Sequence, residues 1–288
     1  MSWLFDGIQD WFKEILIESI MASFAGMFGM INEQVTDIAT QVGQSPASWN
    51  VDIFAMIRTL SETVVLPIAG LILTYVLCYE LIQLIIEKNN LSDFDTFNIF
   101  KWIFKTFIAV FILTNTFNIV MAVFDVAQNA INASAGHITG SLALGNDVMM
   151  SAIEAQLEAM TVGPLIGLLL EIQIVKLCMS IMAIIIFIVV FGRMIEIYCV
   201  VSVAPIPFST MVNREWGQMG NNYLKSLFAL AFQGFLIMVC VAIYAVLVGG
   251  IATADNIHTA IWTVASYTAL LSYMLLKSGG LAKSIFGN

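Results

Sequence analysis

The chain has 288 residues, of which 60% are hydrophobic and only 11% charged. Soluble domains carry about 25% charged residues, so this composition excludes a soluble protein and defines an all-α, polytopic membrane protein. Eleven Lys and Arg stand against twenty Asp and Glu, a formal charge of −9, which argues against a dedicated nucleic-acid-binding surface.

The four cysteines, Cys78, Cys178, Cys199 and Cys240, sit in apolar runs far apart in sequence, as buried small hydrophobes do. The two histidines, His137 and His258, belong to no HExxH pattern. Paired aspartates and a Ser/His arrangement are missing as well, so neither a cofactor nor an enzymatic activity is expected. Asp6 and Asp10 stand where a secretory signal would carry positive charge, so no such signal is expected.

Residues 1–62 form an N-terminal, acidic segment with two basic and eight acidic residues. Leu4, Ile8, Trp11, Phe12, Ile15 and Leu16 recur at helical spacing, which predicts an amphipathic helix on the membrane or against a partner helix. Ala22 and Gly26, and Ala25 and Gly29, lie four apart and would allow close helix approach, within one subunit or between neighbours. Residues 15–31 leave an additional span open. Residues 32–62 are polar, and Gly43, Pro46 and Asn50 signal a loop.

Residues 63–124 hold the first two spans, 63–86 and 103–124, around the polar loop 87–102. Glu80 and Gln83 share the far end of the first. Asn115 and Asn118 lie inside the second, where buried amides need partners and are expected to face another helix. Residues 125–161 carry four acids and no base. They read as irregular to about residue 146 and helical from 147 to 160.

Residues 162–288 hold three more spans, and the chain is organised around residues 174–207. Between Lys176 and Arg193 lie sixteen uncharged residues rich in Ile, Met, Val and Phe. At about 1.5 Å per residue this falls short of a roughly 30 Å bilayer core, and the two flanking cations extend it by snorkelling. Glu171 and Lys176 are five apart and point to different faces, so each needs a partner from another helix or subunit. Arg193 and Glu196 are three apart and able to pair. Pro205 and Pro207 then break the helix in the segment 203–210, and unpaired backbone at membrane depth requires protein or water over it. Spans follow at 224–251, carrying Gln233, and at 257–276, before a short tail from Lys277.

Basic residues near span ends mark the cytoplasmic side. With the loop 87–102 inside and 174–207 crossing once, eight of the eleven basic residues lie inside or at that interface, and Lys13 and Arg58 lie outside. Five spans result, with the N-terminus outside and the C-terminus in the cytoplasm.

The motifs IATQVGQSPASWN, VVLPIAGLILTYVLCYELIQ, DTFNIFKWIFKTF, TNTFNIVMAVFDVAQ and VAPIPFST, taken in this order, resemble the TrbL-like polytopic subunit of conjugative type IV secretion systems, in the form found on mobile elements of Gram-positive bacteria. The likeness runs over most of the chain and is weakest at residues 136–160. It implies part of an inner-membrane channel beneath an extracytoplasmic stalk or pilus-like assembly and beside cytoplasmic ATPases. A homo-oligomer in the lipid bilayer is implied, with DNA or protein only as transient cargo. The resemblance carries no residue roles beyond the neighbourhood of Arg193 and Pro207.

A non-catalytic channel or scaffold subunit is therefore the expected function. A secondary transporter for a small solute is the alternative, because Glu171, Lys176, Arg193, Glu196 and a discontinuous helix would suit a transport site. Five spans without an internal repeat are few for alternating access.

Overall fold

A computed structural model describes residues 2–86, 96–138, 147–250 and 256–287. The described residues form helices and short turns, with no strand among them. In order these are α1 (Ser2–Gly43), α2 (Pro46–Trp49), α3 (Val51–Leu60), a π-helical turn (Ser61–Val65), α4 (Leu66–Ile86), α5 (Thr96–Thr114), α6 (Thr116–Ile138), α7 (Asp147–Glu158), α8 (Val162–Ser202), α9 (Pro205–Thr210), α10 (Gly217–Gly249) and α11 (Ile257–Ile285). Six stretches are long and apolar enough to cross a bilayer: Gly7–Gly43, Val51–Ile86, Phe97–Thr114, Val162–Ser202, Gly217–Gly249 and Ile257–Ile285. At about 1.5 Å per residue five of them exceed a core of roughly 30 Å, and the 18 residues of Phe97–Thr114 come just short of it. The first is the additional stretch that the sequence left open.

Several boundaries differ from the sequence expectation. Residues 32–43 are helical rather than loop, because Ile31, Val35, Ile38 and Val42 keep the apolar spacing of α1 and are buried. Pro46 and Asn50 mark helix starts. Ser45 caps α2 by accepting from the Ser48 amide, and Asn50 caps α3 by accepting from the Ile53 amide. The second span is interrupted at Asn115, and helix resumes from Thr116 and runs to Ile138, past residue 125 where irregular chain was expected to begin. The last helix runs to Ile285, so the expected tail is helical almost throughout. Parts of the loop 87–102, of the segment 125–161 and of the turn before Asn256 lie outside the described residues.

The chain divides into two compact units, each drawn from three separated stretches. Unit 1 comprises 1–43, 131–190 and 235–278, and unit 2 comprises 44–130, 191–234 and 279–288. The core of unit 1 contains Phe24, Ile31, Leu168, Ile172, Val241 and Ile261. Within it α1 runs parallel to the first part of α8. Gln173 Nε2 donates to Ser23 Oγ at 3.2 Å, a separation of 150 positions, and Lys176 lies beside Gly26 at the same offset. Unit 2 has one core around Phe117, Phe124, Met194, Ile197, Leu227 and Leu230, and a second around Ala69, Leu73, Leu77, Ala109 and Leu113. Helices in lipid associate by packing and interhelical hydrogen bonds rather than by escape from water, so the fit of these side chains holds each unit together.

Candidate functional site

The broken segment in unit 2 is the place where the backbone departs from a continuous helix. Proline supplies no amide hydrogen, so α8 ends at Ser202 and Pro205 starts α9 at its first position. Pro205, Pro207, Phe208, Ser209 and Thr210 are all buried. α9 packs on α4 and α5, and Ile206 and Val212 lie against the small cluster formed by Ala69, Leu73 and Ala109. Six residues span about 9 Å and cannot cross a bilayer.

The backbone groups around the break are paired locally. The Phe208 amide reaches Ala204 O at 3.3 Å, Ser209 Oγ donates to Ile206 O at 2.6 Å, and Thr210 Oγ1 donates to Pro207 O at 2.8 Å. Asn213 then closes the turn: its Oδ1 accepts from the Glu215 amide at 2.8 Å. Gly220 of α10 lies against this break. A Cβ there would stand 2.7 Å from Pro207 O and 2.0 Å from Met211 Cγ, so the glycine is what admits the approach. Trp216 stacks on Tyr75 and Tyr79 of α4 at 5.4 and 5.9 Å. Tyr79 Oη and Gln83 Nε2 donate to Glu215 at 3.4 and 3.3 Å.

Arg193 is 95% buried by its 5% exposure, and its Nη2 donates to Ala231 O at 3.4 Å, tying α8 to α10. The expected pairing with Glu196 is not made. Glu196 faces Lys283 of α11 at 3.6 Å on a half-exposed edge, while the guanidinium turns inward to a carbonyl. Nearby, Tyr198 Oη donates to Pro46 O at 2.7 Å and Tyr223 Oη donates to Val200 O at 3.0 Å.

The second pair of residues singled out from the sequence lies in unit 1. Glu171 takes its partner from another helix: its Oε2 is 2.5 Å from Nδ1 of His258, at the start of α11. The His258 amide also donates to Asn256 Oδ1, which caps that helix. Lys176 makes no ion pair among the described residues, and its Nζ lies 3.6 Å from where a Cβ on Gly26 would stand.

The expectation for the asparagines is corrected by the geometry. Asn115 does not reach another helix: its Nδ2 donates to Phe111 O of its own helix at 2.8 Å, which accompanies the break there, and Asn118 is exposed. Ala22, Ala25, Gly26 and Gly29 meet no helix backbone within the chain, though Lys176 Nζ lies beside Gly26, so the expected close approach falls to a neighbouring subunit. They are exposed, and α1 packs through the opposite face of Ile20, Phe24, Phe28 and Ile31. Large apolar residues fill the core better than small ones, and this decides which face turns inward.

Sequence reasoning gave no site role to His258, Trp216 or Lys105. Lys105 pairs with Glu80 across α4 and α5. One lysine and one glutamate facing each other from neighbouring spans was the available signal. No cluster of three His, Cys, Asp or Glu able to hold a metal occurs among the described residues.

Long apolar helices, a protein-covered helix break and polar groups satisfied between helices define a multi-pass helical membrane protein. Residues 31–205 match the family described as TrbL/VirB6 plasmid conjugal transfer like protein. The chain belongs to that family, and it is a subunit of conjugal transfer machinery. No curated protein and no solved structure matches it.

Proposed function

We propose that the chain is a non-catalytic channel or scaffold subunit of a conjugative type IV secretion machine in the cytoplasmic membrane. Its partners are cytoplasmic ATPases, extracytoplasmic stalk or pilus-like subunits and further copies of itself, and DNA or protein is transient cargo. Family membership and the buried α9 together support this reading. A helix break whose prolines are buried suits a fixed bend in a scaffold, and its backbone carbonyls and hydroxyls pair locally within the chain. The solute-transporter alternative gains no support from the family.

The charge bias supports a cytoplasmic C-terminus; five crossings then leave the N-terminus outside, and a sixth crossing through α1 brings it to the cytoplasmic side. The test combines a deletion with topology labelling in intact cells. Deleting the gene should abolish conjugal transfer, and full complementation should restore it. An impermeant thiol reagent should modify Ser141→Cys and spare Ser92→Cys and Ser284→Cys. Wild-type transfer in the deletion strain would remove the machine reading, and outside labelling of Ser284→Cys would overturn the orientation.

A further inference from the structure

Residues 279–287, the end of α11 and the turn after it, belong to unit 2 and are held against α8 and α10 by side-chain contacts. The Phe286 ring stacks on Phe228 with centroids 6.3 Å apart and lies 5.7 Å from Phe232. Lys225 Nζ donates to Gly287 O at 3.4 Å, and Lys283 Nζ stands 3.6 Å from Glu196 Oε1. Each hold is weak. Acyl chains replace ring contacts at little cost, because lipid gives helices no hydrophobic drive to associate. The Lys283 and Glu196 side chains are 51% and 47% exposed, and ion pairs so open contribute little. The segment begins with Gly279 and Gly280. A Cβ at Gly279 would stand 3.3 Å from Gln233 Nε2, so packing accounts for that glycine. Nothing lies within 4 Å of a Cβ at Gly280, so packing does not account for the second one. Glycine leaves the backbone free to bend, and a hinge accounts for it.

The carboxylate that holds Lys283 has a second cation beside it. Arg193 precedes Glu196 by three positions, and residues so spaced are neighbours on a helix surface. Arg193 is only 5% exposed, its contact to Ala231 O is long at 3.4 Å, and its Nε is buried with no acceptor among the described residues. A guanidinium stays charged and offers several N–H donors in a fixed fork. Burying it without an anion is costly, so this position calls for the carboxylate that Lys283 now holds.

We propose that residues 279–287 are a strap that closes over α8 and α10 and is released during transfer, Glu196 passing from Lys283 in the closed state to Arg193 in the open one. The proposal rests on the reading of the chain as a subunit of a transfer machine. The structure holds the closed state. Opening gives up an exposed ion pair and ring contacts that lipid replaces, and it gains an anion for a buried cation. The two states are therefore close in free energy, as a switch requires, and Glu196 is the group that both of them use.

The experiment uses the full chain with its four native cysteines replaced by serine. Ala282, 1% exposed on the docked face of the strap, carries the reporter as Ala282→Cys, and a charged thiol reagent in isolated membranes reads how often the strap opens. Lys283→Ala removes the closed pair and should raise the reaction rate about threefold. Glu196→Gln removes the carboxylate from both states; the open state loses more, so the rate should fall about threefold below the parent. A simple latch predicts the opposite sign for Glu196→Gln, and a rise in rate there would overturn the exchange. A reporter that stays unreactive in every variant would show a strap that never opens. Both substituted side chains are half-exposed, so the variants should accumulate, which a membrane-fraction blot reads. In donors, Phe228→Cys with Phe286→Cys, bridged by a short bifunctional methanethiosulfonate, should lose transfer about tenfold and regain it with reductant, the cysteine-free parent being unaffected. Full transfer with the bridge in place would also overturn the proposal. Reaction rates are read without mating, so their failure removes the strap alone, whereas the gene deletion asks separately whether transfer needs the protein.

Discussion

The hydroxyl of Tyr198 donates to the carbonyl of Pro46 at 2.7 Å, across 152 residues of sequence. Tyr198 is buried, and Trp49 of the same short helix lies against its ring at 5.9 Å and against Phe191 at 5.6 Å. The turn between α1 and α3 is thereby fastened to α8 by one buried hydrogen bond and two ring contacts. Tyr198→Phe keeps the ring and leaves the Pro46 carbonyl without this donor. It should lower stability by about 1–2 kcal/mol, read as an earlier unfolding midpoint in detergent. Trp49→Ala should lower it further, because both ring contacts are lost.

Two of the ion pairs of unit 2 should differ in weight. Arg58 and Glu62 pair at 2.8 Å one turn apart on α3 and its π-helical continuation, with side chains 48% and 46% exposed. Lys105 and Glu80 pair between helices, and Glu80 is only 21% exposed, with its Oε2 shielded and otherwise unpartnered. Arg58→Ala should therefore change stability by less than about 1 kcal/mol. Lys105→Ala should reduce it more and lower membrane accumulation, and Glu80→Gln on that background should restore part of the loss by removing the stranded charge. Equal effects of Arg58→Ala and Lys105→Ala would count against the inter-helix pair.

Gly220 and Gly29 give a matched pair of glycine substitutions. Both are helical, so backbone conformation is not the variable. A Cβ at Gly220 meets the Pro207 carbonyl oxygen at 2.7 Å, whereas nothing lies within 4 Å at Gly29. Gly220→Ala should destabilise by about 1–3 kcal/mol through overpacking, and Gly29→Ala should be neutral or slightly stabilising. Thermal midpoints of the two purified variants decide this.

Glu171 and His258 should be energetically coupled. Glu171→Ala, His258→Ala and the double variant form a cycle in which the double variant loses less than the sum of the singles. A coupling of about 1 kcal/mol is expected, since His258 is 44% exposed. Strict additivity would show that the 2.5 Å approach contributes nothing.

The prolines of the break form the last prediction. Pro205→Ala together with Pro207→Ala restores two amide donors and lets helix continue from α8 through α9. The double variant should insert and accumulate normally but lose transfer, because Asn213 and Trp216 would leave their places on the turn and on α4. A mating assay beside a membrane-fraction blot reads both. Full transfer would reduce the prolines to a simple helix stop.

What was legible in the sequence follows from strong local terms. Composition alone dictated a helical membrane protein, because lipid leaves backbone groups no partner except within a helix. The uncharged run between Lys176 and Arg193 marked α8, and Pro205 with Pro207 marked its end. The order of motifs led to the family that residues 31–205 match.

Helix partners were less legible, because they depend on which faces meet. Arg193 and Glu196 have the spacing to pair, yet Arg193 turns to Ala231 O and Glu196 to Lys283, since packing points the first side chain inward and the second to the edge. The small residues of α1 looked like a packing face by spacing, but Phe24, Phe28 and Ile31 offer more contact area on the other side. The sequence by itself determined the class of protein, the apolar helix that leads into the prolines and its break, because these rest on the solubility of each segment in lipid. Only the tertiary structure decided that Glu171 meets His258, that Tyr198 holds Pro46 and that the small residues of α1 face outward, because residues more than 80 positions apart become neighbours only when the helices pack.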